Sequence, residues 1–163
     1  MASDTPENAG EHGAEEAAGT LLVLSDHRPL NRAHVEFLRL HGFSAIAAIT
    51  YTDVVRILSS EAGKVEIRAI VVASKIHGWH HLEGEKRPVE IPANSEVWQM
   101  DNIKRVLDVV AQNQQKCPLL FIAHDLIETE WYQITVGGLN ELGLEYQIYQ
   151  AGDLRTVVAA LGE

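Results

Sequence analysis

The sequence predicts one doubly wound α/β domain on a five-stranded parallel sheet, and three observations predict it. Short, continuous apolar runs occur five times, the pattern of strands covered on both faces. The segments between them repeat their apolar residues at helical spacing. Strand and helix patterns alternate, which is the order that builds a parallel sheet with helices on both sides. A chain of 163 residues suits one such domain and its core.

Residues 1–19 are rich in Ala, Gly and Glu and have no large apolar side chain after Met1, so they are expected to form a disordered acidic tail. The domain is expected to occupy residues 20–163. Its first strand is the run Leu21 to Leu24. In "RPLNRAHVEFLRLHG" the residues Leu30, Ala33, Phe37, Leu38 and Leu40 predict a helix with an apolar stripe. Pro29 suits its first turn and Gly42 its stop. "FSAIAAI" is a second strand, and "YTDVVRILSSEA" a second helix with Val54, Val55 and Leu58 inward.

"IRAIVVAS" is the third strand. Residues 75–95 then carry Gly, Pro and charge with weak periodicity and read as a long loop, a length that is uncommon and often functional. From Glu96 to Gln112, Val97, Met100, Ile103, Leu107 and Val110 fall on one helical face. "PLLFIAH" is the fourth strand. Asp125 and Glu128 have capping-box spacing ahead of a helix carrying Leu126, Ile127, Trp131 and Ile134, which Gly137 and Gly138 are expected to weaken or end. "LEYQIYQ" is the fifth strand, with Leu144, Tyr146 and Ile148 on one face. Asp153 is expected to cap a last helix that turns Leu154, Val157, Val158 and Leu161 inward. Five strand–helix repeats match a flavodoxin-like sheet in the order 2-1-3-4-5.

Composition excludes several functions. The formal net charge is −10, and half of it comes from Asp4, Glu7, Glu11, Glu15 and Glu16 in a segment without Lys or Arg. Direct nucleic-acid binding needs a basic surface, which this composition does not supply. No apolar run approaches the length of a membrane helix. The single Cys117 cannot form an internal disulfide, so the chain is expected to be cytoplasmic. No Gly-rich phosphate loop follows the first strand, where "SDHRPLN" stands, and there is no nucleophile elbow.

In order and spacing, "LLVLSDH", "FLRLHGFSAIAAITYTDVVRIL", "PLLFIAH" and "LGLEYQIYQAGDLRTVVAAL" resemble the response-regulator receiver family over roughly residues 20–162. The resemblance implies a phosphoryl-transfer site of five groups. Two acidic residues follow the first strand and hold Mg²⁺, and an Asp ends the third strand as acceptor. A hydroxyl ends the fourth strand, and a Lys ends the fifth. Here the acidic pair is Ser25 and Asp26. The acceptor position is Ala73, or Ser74 if the register slips by one. The hydroxyl position is Ala123, followed by His124, and the Lys position is Tyr149 or Gln150. An acyl phosphate requires a carboxylate, and a hard divalent cation favours several oxygen ligands. One of the five groups remains, so the resemblance is to a pseudo-receiver, with no catalytic residue and no cofactor.

Asp26 alone is expected to cap the following helix or loop, and Asp125 to cap its own. Ser74 reads as a small polar strand end. The loop places His77, His80, His81 and Glu83 within seven residues, a set chemically suited to Zn²⁺ but without a recognised metal spacing. It forms the alternative reading, metal or small-ligand binding at that loop. Trp79 in the loop is a candidate interface anchor, whereas Trp98 and Trp131 fall within helical patterns. By analogy with receivers, Tyr146 and Tyr149 on the fifth strand mark a face for a protein partner or a second copy.

Overall fold

The computed structural model describes residues 19–59, 65–74, 97–114, 117–124 and 130–162, and the side chains of 97–99, 101, 130 and 131 lie outside that description. The elements are β1 (Thr20–Leu24), α1 (Arg28–Leu40), β2 (Ser44–Ala48), α2 (Tyr51–Leu58) and β3 (Ile67–Val72). They continue as α3 (Val97–Asn113), β4 (Leu119–His124), α4 (Glu130–Leu142), β5 (Gln147–Gln150) and α5 (Arg155–Leu161). The five strands form one parallel sheet in the order β2-β1-β3-β4-β5, the doubly wound, flavodoxin-like arrangement.

Two cores explain why the strand sequences are apolar without alternation. Leu22, Leu24, Ile70, Val72, Leu120 and Ile122 meet Val54, Leu58, Ile103, Val106, Val110 and Leu139 from α2, α3 and α4. The odd-numbered strand residues Leu21, Val23, Ala69, Val71, Phe121, Ala123 and Tyr149 meet Val35, Leu38, Val157 and Leu161 from α1 and α5. Successive side chains point to opposite faces, so a strand buried on both sides must be apolar throughout.

Local chemistry places the elements. Gly42, at φ +91°, ends α1 with a backbone conformation that favours glycine. Thr50 and Asp53 form a capping box at α2: Asp53 N–H donates to Thr50 Oγ1 at 3.2 Å, and Thr50 N–H donates to Asp53 Oδ2 at 3.1 Å. After α3, Gln114 acts as a substitute strand neighbour, since its Oε1 accepts from Ile67 N–H at 2.7 Å and its Nε2 donates to Ile67 O at 2.8 Å. At the sheet edge, Arg39 Nε donates to Ala45 O at 3.0 Å and covers one carbonyl of β2.

Several expectations are corrected. The buried face of α1 is Asn31, His34, Val35 and Leu38, while Ala33 is exposed and Leu40 is 85% exposed. Both sets have helical spacing, and the polar pair goes inside because each member finds buried partners. In α2, Val54 and Leu58 are buried but Val55 faces solvent. Gly137 and Gly138 do not end α4, which runs through both. Gly138 instead lets α3 approach, because a Cβ there would stand 2.6 Å from Met100 Cγ. Leu144 and Tyr146 do pack on the core, but Ile148 beside them is 44% exposed on the outermost strand. Among the described residues, no helix is long and apolar enough to cross a membrane.

Candidate functional site

Parallel strands all end at one edge, so Ser25, Asp26, Ala73 and Ser74 just after β1 and β3 and Ala123, His124, Tyr149 and Gln150 at the ends of β4 and β5 come to the same end of the sheet. The register fixes how they meet. Leu24 pairs with Val72, so the residues just beyond these strands are neighbours. Ala123 pairs with Tyr149 and His124 with Gln150.

Ser25 is fully buried. Its Oγ lies 2.6 Å from Ser74 Oγ and accepts from His27 N–H at 3.0 Å. The first position after β1 and the residue after Ala73 are thus joined hydroxyl to hydroxyl. Ala73 is 4% exposed and presents a methyl group, and its N–H donates to Leu24 O at 3.0 Å. Asp26 is half-buried. It is not the cap of α1, which is His27, whose Nδ1 accepts from Leu30 N–H at 3.3 Å.

Among the described residues, two further carboxylates at this end are committed elsewhere. Asp53 accepts from Ile49 N–H at 2.8 Å and pairs with Arg56 at 3.1 Å. Asp153 binds the Arg155 guanidinium, which holds its carboxyl down at about 2. It also accepts from Arg155 N–H at 3.1 Å, but the N-cap of α5 is Leu154, without a side-chain capping bond, so the expected cap at Asp153 is corrected: its carboxylate is taken by the Arg155 guanidinium. Among the described residues, no group of three His, Cys, Asp or Glu side chains could hold a metal ion.

On the far side, Ala123 is fully buried and His124 is half-buried, its ring edge-on to Tyr132 at 4.6 Å between centroids. Gln150 donates through Nε2 to His124 O at 3.2 Å. Tyr149 is 1% exposed, so it offers no surface to a partner, and its assignment as an interface residue is corrected. The even-numbered face of β5 looks toward α4, while Tyr149 turns under α1 and α5. Its hydroxyl stands 3.1 Å from His34 Nε2. His34 Nδ1 lies 3.1 Å from Leu30 O, a pure acceptor, so Nδ1 carries the proton and the Tyr149 hydroxyl donates to Nε2. Burial holds the His34 imidazole below its ordinary pKa, against the opposing pull of the Leu30 carbonyl.

Asn31 is a second buried polar anchor that the apolar stripe did not reveal. Its Nδ2 lies 3.1 Å from Val23 O, 3.2 Å from Ser25 O and 3.1 Å from Ala48 O, tying α1 to the ends of β1 and β2. The signal that could have found Asn31 and His34 is their spacing with Val35 and Leu38, which completes a helical face.

His77, Trp79, His80, His81, Glu83 and Asp125 lie outside the described residues, as do the side chains of Trp98 and Trp131. Among the described residues, this end of the sheet carries two joined hydroxyls, one half-buried carboxylate, two methyl groups and a buried Tyr–His pair.

No protein-family model matches this chain, and no curated protein matches it. Three chains of known structure do. One is a response regulator receiver domain protein from Clostridium thermocellum, 14% identical over 88% of this chain and 93% of that chain, with a TM-score of 0.47. The fold class is fixed by the strand order itself, a five-stranded parallel sheet β2-β1-β3-β4-β5 with helices on both faces.

Proposed function

We propose that this chain is a receiver-type module of signal transduction that binds protein partners without being phosphorylated and without catalysing a reaction. The observation that carries the reading is the Ser25–Ser74 contact of 2.6 Å at the carboxyl edge. A receiver-like pocket there would need carboxylates to hold a cation and to form the mixed anhydride. These positions offer hydroxyls, with the Ala73 methyl between the strand and Ser74. Asp26 alone is a poor set of ligands for a hard divalent ion. Partner binding falls to the surface around β5, where Tyr146 is half-buried, Ile148 is 44% exposed and Leu142 is 46% exposed. Apolar side chains grouped on an outer strand and its neighbouring helix suit a protein partner, a second copy of this chain included.

Incubation with acetyl phosphate and Mg²⁺, followed by intact-mass measurement, tests the reading. The expected result is an unchanged mass. A gain of about 80 Da, roughly one phosphoryl group, mapped to Asp26 or another carboxylate of this edge, overturns it.

A further inference from the structure

The solvent side of α1 carries a feature that the carboxyl edge does not use. Arg28, Arg32 and Arg39 line a groove of about 380 Å³ between α1 and the outer strand β2, with Val35, Ala47 and Ile49 as its apolar lining. Glu36 is the one carboxylate among the described residues of that lining. Three of the chain's 13 Lys and Arg thus gather in one groove of a molecule whose net charge is −10. Arg39 is already engaged, through its Nε, with the Ala45 carbonyl. Arg28 and Arg32 are exposed and form no ion pair among the described residues. They stand one helical turn apart on α1, a spacing that puts two guanidinium groups within reach of neighbouring carboxylates, which Arg binds well.

We propose that this groove docks an acidic peptide segment of a protein partner. Two of its carboxylates meet Arg28 and Arg32, and an apolar side chain between them seats on Val35, Ala47 and Ile49. The mixed lining selects this chemistry over nucleic acid. A duplex brings about one charge per 1.7 Å against an acidic molecule and would place phosphates beside Glu36. A peptide spaces its charges and supplies the apolar side chain that the lining accepts. Because Arg39 covers the Ala45 carbonyl, recognition at that end of β2 proceeds through side chains and not by strand addition. The proposal rests on the interaction-module reading and adds a second partner surface, at the opposite edge of the sheet from β5. Its test is blind to phosphotransfer, so either can fail while the other stands.

The probe is a short fluorescein-labelled peptide with Glu residues flanking a central Leu, titrated with the full chain at low salt and followed by anisotropy. The expected result is saturable binding that the Arg28→Glu/Arg32→Glu variant weakens by about tenfold or more. Both arginines are exposed, and an unchanged thermal midpoint checks that this variant is folded. Glu36→Gln, which removes the like charge, is expected to tighten binding. Equal affinity in the charge-reversed variant overturns the proposal, as does equal binding of a peptide with Lys in place of Glu. Tighter binding of a DNA duplex than of the peptide also overturns it. So does peptide binding seen only when Asp4, Glu7, Glu11, Glu15 and Glu16 are changed to amides, since that assigns the groove to the chain's own acidic segment.

Discussion

Two buried polar side chains on α1 fix how this helix meets the sheet. Asn31 offers its amide hydrogens to three carbonyls at the ends of β1 and β2, and no apolar residue could replace them. Asn31→Asp keeps the shape but turns oxygen lone pairs toward carbonyl oxygens. A loss of at least about 3 kcal/mol is expected in urea unfolding. The His34–Tyr149 bond joins α1 to β5 across the second core. Removing the hydroxyl in Tyr149→Phe leaves Nε2 buried without its donor and is expected to cost about 1–3 kcal/mol. The same pair sets a pH dependence. The His34 pKa is lowered in the folded state, so the unfolded chain binds the proton more readily. This contribution to stability is complete above about pH 6.5, the unfolded value, and is lost as pH falls toward the depressed folded value. Urea midpoints measured between pH 7.5 and 5 should fall, with a shallower slope in His34→Gln.

At the scale of elements, α4 shows how packing overrides propensity. Two consecutive glycines cost a helix about 1 kcal/mol each relative to alanine, yet the helix continues through both. Their roles differ. A Cβ at Gly137 would meet nothing within 4 Å, whereas one at Gly138 would stand 2.6–2.8 Å from the Met100 side chain of α3. Gly137→Ala is therefore expected to stabilise the domain by up to about 1 kcal/mol. Gly138→Leu should destabilise it by about 1–3 kcal/mol through overpacking. Chemical unfolding of the two variants beside the parent separates these outcomes, and equal effects would show that α3 and α4 do not approach as described. The strand elements were the most legible part of the sequence, because a strand buried on both faces must be a continuous apolar run. The inward faces of α1 and α2 were less legible. Leu40 and Val55 extend the apolar stripes, yet they are exposed because a helix beside a sheet buries only part of its circumference.

For the whole molecule, the decisive arrangement is the meeting of four strand ends at one edge, which brings residues distant in sequence to the same end of the sheet. A receiver-like pocket with three carboxylates would gain stability from a divalent cation in proportion to its occupancy. Here two of the carboxylates at that edge are bound to Arg56 and Arg155. Millimolar MgCl₂ is therefore expected to raise the thermal midpoint by less than about 1 °C. A rise of several degrees would show a cation site that these side chains do not form. The residues of the edge were legible one by one, since each follows a recognisable strand. Their contacts were not, because the 2.6 Å approach of Ser25 to Ser74 depends on the register between strands 49 residues apart.

The amino-acid sequence by itself determined the number of strands, their burial on both faces and the lack of a carboxylate where β3 ends. Each of these follows from local periodicity or from the identity of a single residue. Tertiary structure alone decided that Asn31 and His34 face the core, that Tyr149 is a buried donor, and that Arg28, Arg32 and Arg39 share a groove with β2. Whether a polar side chain is buried depends on the partners brought to it by distant segments. The carbonyls of Ser25 and Ala48 and the hydroxyl of Tyr149 meet α1 only once the sheet has formed.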